Sequence, residues 1–139
     1  MTSEPSSVAP KKSILLVEDT NTVTALIQIY LMGWKVEFRL ARNGREGLAL
    51  ALESPPDLVI TDVQMPELDG FGLCAALRSN LKLHDVPVLL VTSLNDEASR
   101  QQGRLVGATA FLTKPVSNKE LRAQVAALLQ LDPEKGTPV

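Results

Sequence analysis

The sequence predicts an α/β chain folded as one doubly wound domain, a five-stranded parallel sheet with helices on both faces. Three features point there. Short runs that are apolar without interruption (ILLV at 14–17, LVI at 58–60, VLLV at 88–91) are too brief for stable helices and have no polar face, as buried parallel strands require. Longer segments with apolar residues three and four apart separate them, and most of these open on a residue able to cap a helix.

Residues 1–12 (MTSEPSSVAPKK) are rich in Ser, Pro and Lys with little to bury, so they read as a flexible leader; the domain then spans 13–131, and 132–139 reads as a flexible tail. The first strand is 13–17 (SILLV). A helix over 22–32 follows, with Val23, Leu26, Ile27, Tyr30 and Leu31 on one face and Thr20, Asn21 or Thr22 as its cap. Residues 34–40 alternate Val36, Phe38 and Leu40 with charged neighbours, which suits an edge strand with one wetter face. Asn43 caps a second helix that Pro55 and Pro56 terminate before the third strand, 58–61 (LVIT). A helix over 70–80 buries Leu73, Cys74 and Leu77, and 86–91 (VPVLLV) is the fourth strand. Asp96 caps a helix to 106, 110–113 is the fifth strand, and Ser117 caps a last helix to 131. Parallel neighbours need right-handed helical crossovers, so the expected strand order is 2-1-3-4-5, the flavodoxin-like arrangement.

A length of 139 residues suits one domain, and 45% hydrophobic against 22% charged residues is enough to bury a core. A net charge of -2, with no Lys/Arg-rich run, leaves no basic face for a phosphate backbone, so nucleic acid is not an expected partner. One cysteine cannot close an internal disulfide. No charged-then-apolar leader and no spanning apolar segment is present, so the expected setting is the cytoplasm, with no membrane partner. A single histidine, His84, excludes a multi-histidine metal centre.

Parallel strands share one direction, so the residues just past their C-terminal ends gather on one rim, where open α/β sheets bind ligands. Glu18 and Asp19 follow the first strand, Asp62 the third, Thr92 and Ser93 the fourth, and Lys114 the fifth. Each alone has a structural explanation as a helix cap, a dipole partner or a solvated loop group. Together they have complementary chemistry. Three converging carboxylates repel one another unless a cation intervenes, and an all-oxygen set suits Mg2+, with Mn2+ as a substitute, better than zinc. Beside such an ion Asp62 can act as a nucleophile toward a phosphoryl group, with the Lys114 ammonium and the Thr92 hydroxyl aimed at the transferred oxygens.

Four segments carry a family resemblance: ILLVEDT (14–20), LVITDVQMPELDGFGL (58–73), VLLVTSL (88–94) and AFLTKP (110–115). In order and spacing they resemble the signature segments of the receiver domain of two-component response regulators, over about 13–131 and thus nearly all of the folded chain. The resemblance implies that Asp62 is the phosphorylated aspartate, that Asp19 binds Mg2+ directly and Glu18 through water, and that the backbone carbonyl of Gln64 completes the protein ligands. Met65, Pro66 and Gly70 resemble the family's loop after the phosphosite, Gly70 permitting a tight turn into the helix. Lys114 is expected to contact the phosphoryl group and the Lys114–Pro115 bond to be cis. Thr92 and Phe111 occupy the positions of the family's switch pair, in which the hydroxyl moves toward the phosphoryl oxygen and the aromatic ring follows.

By the same resemblance the phosphodonor is a histidine kinase or a histidine phosphotransfer protein, and the signal leaves through the face of the fourth helix, fifth strand and fifth helix to a downstream protein. The implied species is a monomer when unmodified, with dimerisation on phosphorylation the one change of assembly it allows. It is a regulatory phosphoacceptor and no turnover enzyme, catalysing only its own phosphotransfer and slow self-dephosphorylation. Apolar Leu94, with Gln64 opposite, is expected to impede the hydrolytic water, and small Ser93 to leave room for the phosphoryl group. Two alternatives are weaker. A phosphorylation-independent interaction module of this fold usually lacks one of the acidic or lysine positions, and a hydrolase of the haloacid-dehalogenase type would carry an acid where Gln64 stands.

Overall fold

In the computed structural model residues 11–139 are described, and residues 1–10 of the flexible leader expected at 1–12 lie outside the described residues. The elements run β1 (Lys12–Val17), α1 (Asn21–Tyr30), β2 (Val36–Ala41), α2 (Gly44–Glu53), β3 (Leu58–Thr61), α3 (Gly70–Arg78), β4 (Val88–Thr92), α4 (Glu97–Leu105), β5 (Ala110–Thr113) and α5 (Asn118–Leu129). All strands pair in parallel in the order β2-β1-β3-β4-β5, the flavodoxin-like arrangement. β1 starts at Lys12, inside the segment read as leader, because Lys12 N donates to Lys35 O at 3.0 Å and extends the ladder by one residue.

Alternation along β1 builds both cores at once. Ile14 and Leu16 pack with Ile27 and Leu31 of α1 and with Leu121, Val125 and Leu129 of α5. Leu15 and Val17 point the other way, to Ala51 of α2 and Leu73, Cys74 and Leu77 of α3. Each fully buried aliphatic side chain of this kind contributes about 2 kcal/mol relative to exposure, so the central strands fix the sheet and thereby the rim. Asn43, Asp69, Asp96 and Ser117 each cap a helix, the side chain accepting from the backbone N–H three residues on. Thr20 stands at the start of α1 but its side chain makes no capping bond. Its hydroxyl turns instead to Asp19 Oδ1 at 3.5 Å, and its backbone N–H donates to Glu18 Oε2 at 3.1 Å.

At the edge, Arg39 of β2 donates to Leu50 O at 2.9 Å and to Ser54 O, which closes the C-terminal end of α2 over the outermost strand. Helix α4 is an exception to the close packing, since Gly103 is its one buried residue. No helix among the described residues is long and apolar enough to cross a membrane.

The segment 132–139, read from the sequence as a flexible tail, folds back on the domain instead. Leu131 pairs with Pro138 in an antiparallel bridge, and the Asp132 carboxylate accepts from Glu134 N and Lys135 N at 2.8 and 2.9 Å. Gly136, at φ 68°, lies against the Trp34 ring, and its carbonyl accepts from Lys35 N at 2.9 Å. The turn needs a residue tolerant of positive φ, and Gly136 supplies it while leaving no side chain between backbone and indole. Trp34, only 6% exposed, is covered in this way.

Candidate functional site

The rim at the C-terminal ends of β1, β3, β4 and β5 brings the expected polar residues together. One carboxylate oxygen each from Glu18, Asp19 and Asp62 lies within 4.8 Å of the others. Glu18 and Asp62 are buried, with side chains 2% and 8% exposed, while Asp19 is more open. Lys114 reaches across the top of the sheet, its Nζ donating to Asp62 Oδ2 at 2.9 Å and to Glu18 Oε1 at 3.2 Å. The Lys114 backbone N–H donates to Thr92 O at 2.8 Å, and the Lys114–Pro115 bond is cis.

Asp62 is held from below by its own loop. Its Oδ1 accepts from Val63 N at 2.6 Å and from Gln64 N at 3.3 Å, leaving Oδ2 to Lys114. Gly70 is needed for a reason other than the tight turn expected of it. A Cβ there would run into the Asp62 carbonyl and stand 2.8 Å from Val63 Cα, so α3 starts in direct backbone contact with the Asp62 segment. The left-handed position of the loop is Glu67, at φ 69°.

Burial and charge act together on Glu18 and Lys114. Burial pushes the Glu18 carboxyl above its usual value; Lys114 opposes that rise and the negative Asp62 adds to it. For Lys114, burial pulls downward, but the hydrogen bond and charge of Asp62, with the charge of Glu18, outweigh it and hold the ammonium above the ordinary lysine value. One ammonium among three carboxylates leaves the cluster net negative, and every donor is an oxygen. These residues therefore fit a hard divalent cation.

Thr92 is fully buried at the end of β4, and its Oγ1 accepts from Leu94 N at 3.3 Å, so the hydroxyl is engaged by the loop leading to α4. Phe111, on β5, is half-buried beneath α4, with the Arg100 guanidinium 4.8 Å from its ring centroid. Leu94 joins Gln64, Met65 and Phe71 around a groove beside Asp62. Arg42 was not singled out in the sequence. Its guanidinium donates to Asp19 O at 2.8 Å and Asn21 Oδ1 at 2.7 Å, tying the acidic loop to the end of β2. A signal for it existed: Ala41 pairs with Val17, so Arg42 is the residue past β2 on the same rim.

The family model for the response regulator receiver domain matches residues 14–126. RpaA of Synechocystis sp., a DNA-binding dual master transcriptional regulator, is 37% identical over 117 residues, which are 84% of this chain and 48% of that protein. The chain spans about half the length of the curated relatives it matches. Among solved structures, the signal receiver domain of a signal transduction histidine kinase from Syntrophus aciditrophicus superposes with a TM-score of 0.79 at 36% identity, covering 86% of this chain and 90% of that one. The chemotaxis response regulator CheY4 of Vibrio cholerae gives 0.80 at 30% identity, covering 86% and 99%. With the strand order, the rim and these matches in agreement, the chain belongs to the response regulator receiver domain family.

Proposed function

We propose that the protein accepts a phosphoryl group on Asp62 from a phosphohistidine of a histidine kinase or phosphotransfer protein, in a Mg2+-dependent reaction, and relays the signal through a protein-interaction surface. The observation that carries this reading is the three-way contact of Lys114 with Asp62 and Glu18 inside an all-oxygen acidic cluster. Glu18, Asp19, Asp62 and the backbone carbonyl of Gln64 would hold the ion; when bound, Mg2+ neutralises carboxylates and phosphoryl oxygens during transfer. Mn2+ is expected to substitute.

An Asp62 carboxylate oxygen attacks phosphorus, a P–O bond forms, and the P–N bond to the donor imidazole breaks. The backbone N–H groups of Val63 and Gln64 orient the carboxylate for this attack. Lys114 already sits on Asp62 Oδ2, so its ammonium needs little movement to meet the charge that arrives with the phosphoryl group. Thr92 must give up Leu94 N to turn its hydroxyl toward a phosphoryl oxygen, which frees the loop into α4. Phe111 then follows, and the face of α4, β5 and α5 changes shape for a downstream partner. Apolar Leu94 beside the site slows hydrolysis and prolongs the modified state. The protein is a monomer when unmodified, and any dimerisation belongs to the phosphorylated form.

The decisive experiment is intact mass after treatment with acetyl phosphate and Mg2+, comparing wild type, Asp62→Asn and a chelated control. A gain of one phosphoryl group confined to wild type with metal is the expected result. Equal labelling of Asp62→Asn would remove Asp62 from the role, and no labelling of wild type would leave the phosphorylation-independent interaction module as the better reading.

A further inference from the structure

The contact between α4 and the sheet rests on very little, and most of what there is passes through Arg100. Gly103 is the only buried residue of α4. Arg100 lies one helical turn before it, on the same face, and Phe111 and Thr113 lie two apart on β5, also on one face. The two pairs meet. The Arg100 guanidinium stacks 4.8 Å from the Phe111 centroid and its Nη2 donates to Thr113 Oγ1 at 3.3 Å. Among the described residues this is the only hydrogen bond by which a side chain of α4 reaches the sheet. Where a side chain on Gly103 would press on the ring there is none, and a Cβ would stand 3.5 Å from Phe111 Cδ2. The ring is therefore covered from above by a charge, and no side chain from Gly103 bears on it from beside.

We propose that Arg100 is a latch on the Thr92–Phe111 switch: its stacking on Phe111 and its bond to Thr113 hold ring and helix together in the unmodified protein, and both contacts must be released before the ring moves. This rests on the phosphoacceptor reading above and adds to it the residue that sets how readily the switch turns. Contacts made only in the unmodified arrangement oppose phosphorylation through linkage, since whatever phosphorylation must break also resists phosphorylation. The role is one of positioning, for Arg100 touches neither Asp62 nor Lys114 in the structure. Because the guanidinium carbon lies over the ring while Nη2 bonds to Thr113, lysine can replace the charge but only part of the geometry.

The test uses the whole chain labelled with 4-fluorophenylalanine, which places a fluorine signal on each of Phe38, Phe71 and Phe111, the last assigned from Phe111→Leu. In wild type, acetyl phosphate with Mg2+ is expected to move the Phe111 line. In Arg100→Met the line of the unmodified protein should already lie part of the way toward that position. The donor concentration for half-labelling, read by intact mass, should fall by about two- to fivefold, the factor a part-exposed cation–π contact corresponds to. Arg100→Lys should recover most of both readings, which a loss of packing alone would not predict. Wild-type and Arg100→Met proteins that label at the same donor concentration with identical Phe111 lines would overturn the latch while leaving Asp62 as acceptor. A labelled wild type whose Phe111 line never moves would overturn the switch and the latch together. An unlabelled wild type would overturn the phosphoacceptor reading and, with it, this inference.

Discussion

Helices α3 and α4 leave the same rim of the sheet, from the loops that carry Asp62 and Thr92, yet they are held in opposite ways. α3 buries Gly70, Leu73, Cys74 and Leu77, and its last residue, Arg78, donates to Gly107 O, His84 O and Val86 O at 3.0, 3.1 and 2.7 Å. α4 buries Gly103 alone and is joined to the sheet by Arg100. Even their glycines differ. A Cβ on Gly70 would meet the backbone of Asp62 and Val63, which cannot yield, whereas on Gly103 it would meet the end of the Leu90 side chain at 3.2 Å. The carboxylate is thus built on a rigid support while the hydroxyl sits at the root of a helix with room to shift. That division suits a device that must receive a group in a fixed place and report it through movement.

The most damaging way to probe the rigid half is Gly70→Ala. The added carbon has backbone on its far side, so α3 or the Asp62 loop must move, and the expected cost is about 3 kcal/mol or more, with loss of acetyl phosphate labelling in whatever folds. Urea unfolding measures the first and intact mass the second. A variant as stable and as readily labelled as wild type would show that the contact at Gly70 does not fix the site.

Arg78→Ala tests the far end of the same helix. Three backbone carbonyls and the Thr109 hydroxyl lose a charged donor, and the expected loss is about 2 kcal/mol, because part-buried acceptors are left to whatever water can enter. Labelling of Asp62 should survive, since Arg78 lies at the opposite end of α3 from Asp62. If labelling fell while stability held, the two ends of α3 would be coupled in a way that the packing gives no reason to expect.

Much of this half was legible in the sequence, and the reasons are local. The β1 run ILLV alternates between two cores because period two is built into a strand, and Asn43, Asp96 and Ser117 cap helices through bonds only three residues long, as Asp69, not singled out in the sequence, also does. The rim could be read because parallel strands all end on one side, which carries Glu18, Asp19, Asp62 and Lys114 to one place without any knowledge of loop geometry. Arg42 stood on that rim just past β2 and was passed over, whereas Arg100 and the returning segment after Leu131 were not legible. The partners of these two are Phe111 and Trp34, on other elements, and nothing in the local pattern of an arginine or of DPEKG names such a partner.

A pH series tests whether charge as well as packing ties the rigid half down. Lys114 in the folded protein lies above the ordinary lysine value of 10.5, because Asp62 and Glu18 outweigh its burial. Its stabilising contribution is therefore complete below the unfolded value and is lost as pH rises through the higher folded one. Urea midpoints of the metal-free protein should fall above roughly pH 10.5, more steeply than in Lys114→Met, which has no ammonium to lose. Parallel slopes for the two proteins would assign the alkaline loss to other groups.

The smallest expected change, and the most informative about the loosely packed half, is Gly103→Ala. In a helix interior the substitution gains about 1 kcal/mol from backbone propensity, and here it must also push Leu90 Cδ1 back by a few tenths of an ångström, which a side-chain terminus can do. The two effects oppose each other, so the net change should lie within about 1 kcal/mol of zero, or about 4 °C in thermal midpoint for a chain of this size. Function should respond more than stability does. The new methyl stands beside Phe111 Cδ2 and Cε2 and takes up the slack on that side, so the ring should follow phosphorylation less far while Asp62 still accepts the group. A cost approaching that of Gly70→Ala would mean that α4 is packed as tightly as α3 and that the contrast between the two helices is false. A neutral variant with an unchanged Phe111 response would keep the contrast but place the room for movement somewhere other than beneath α4.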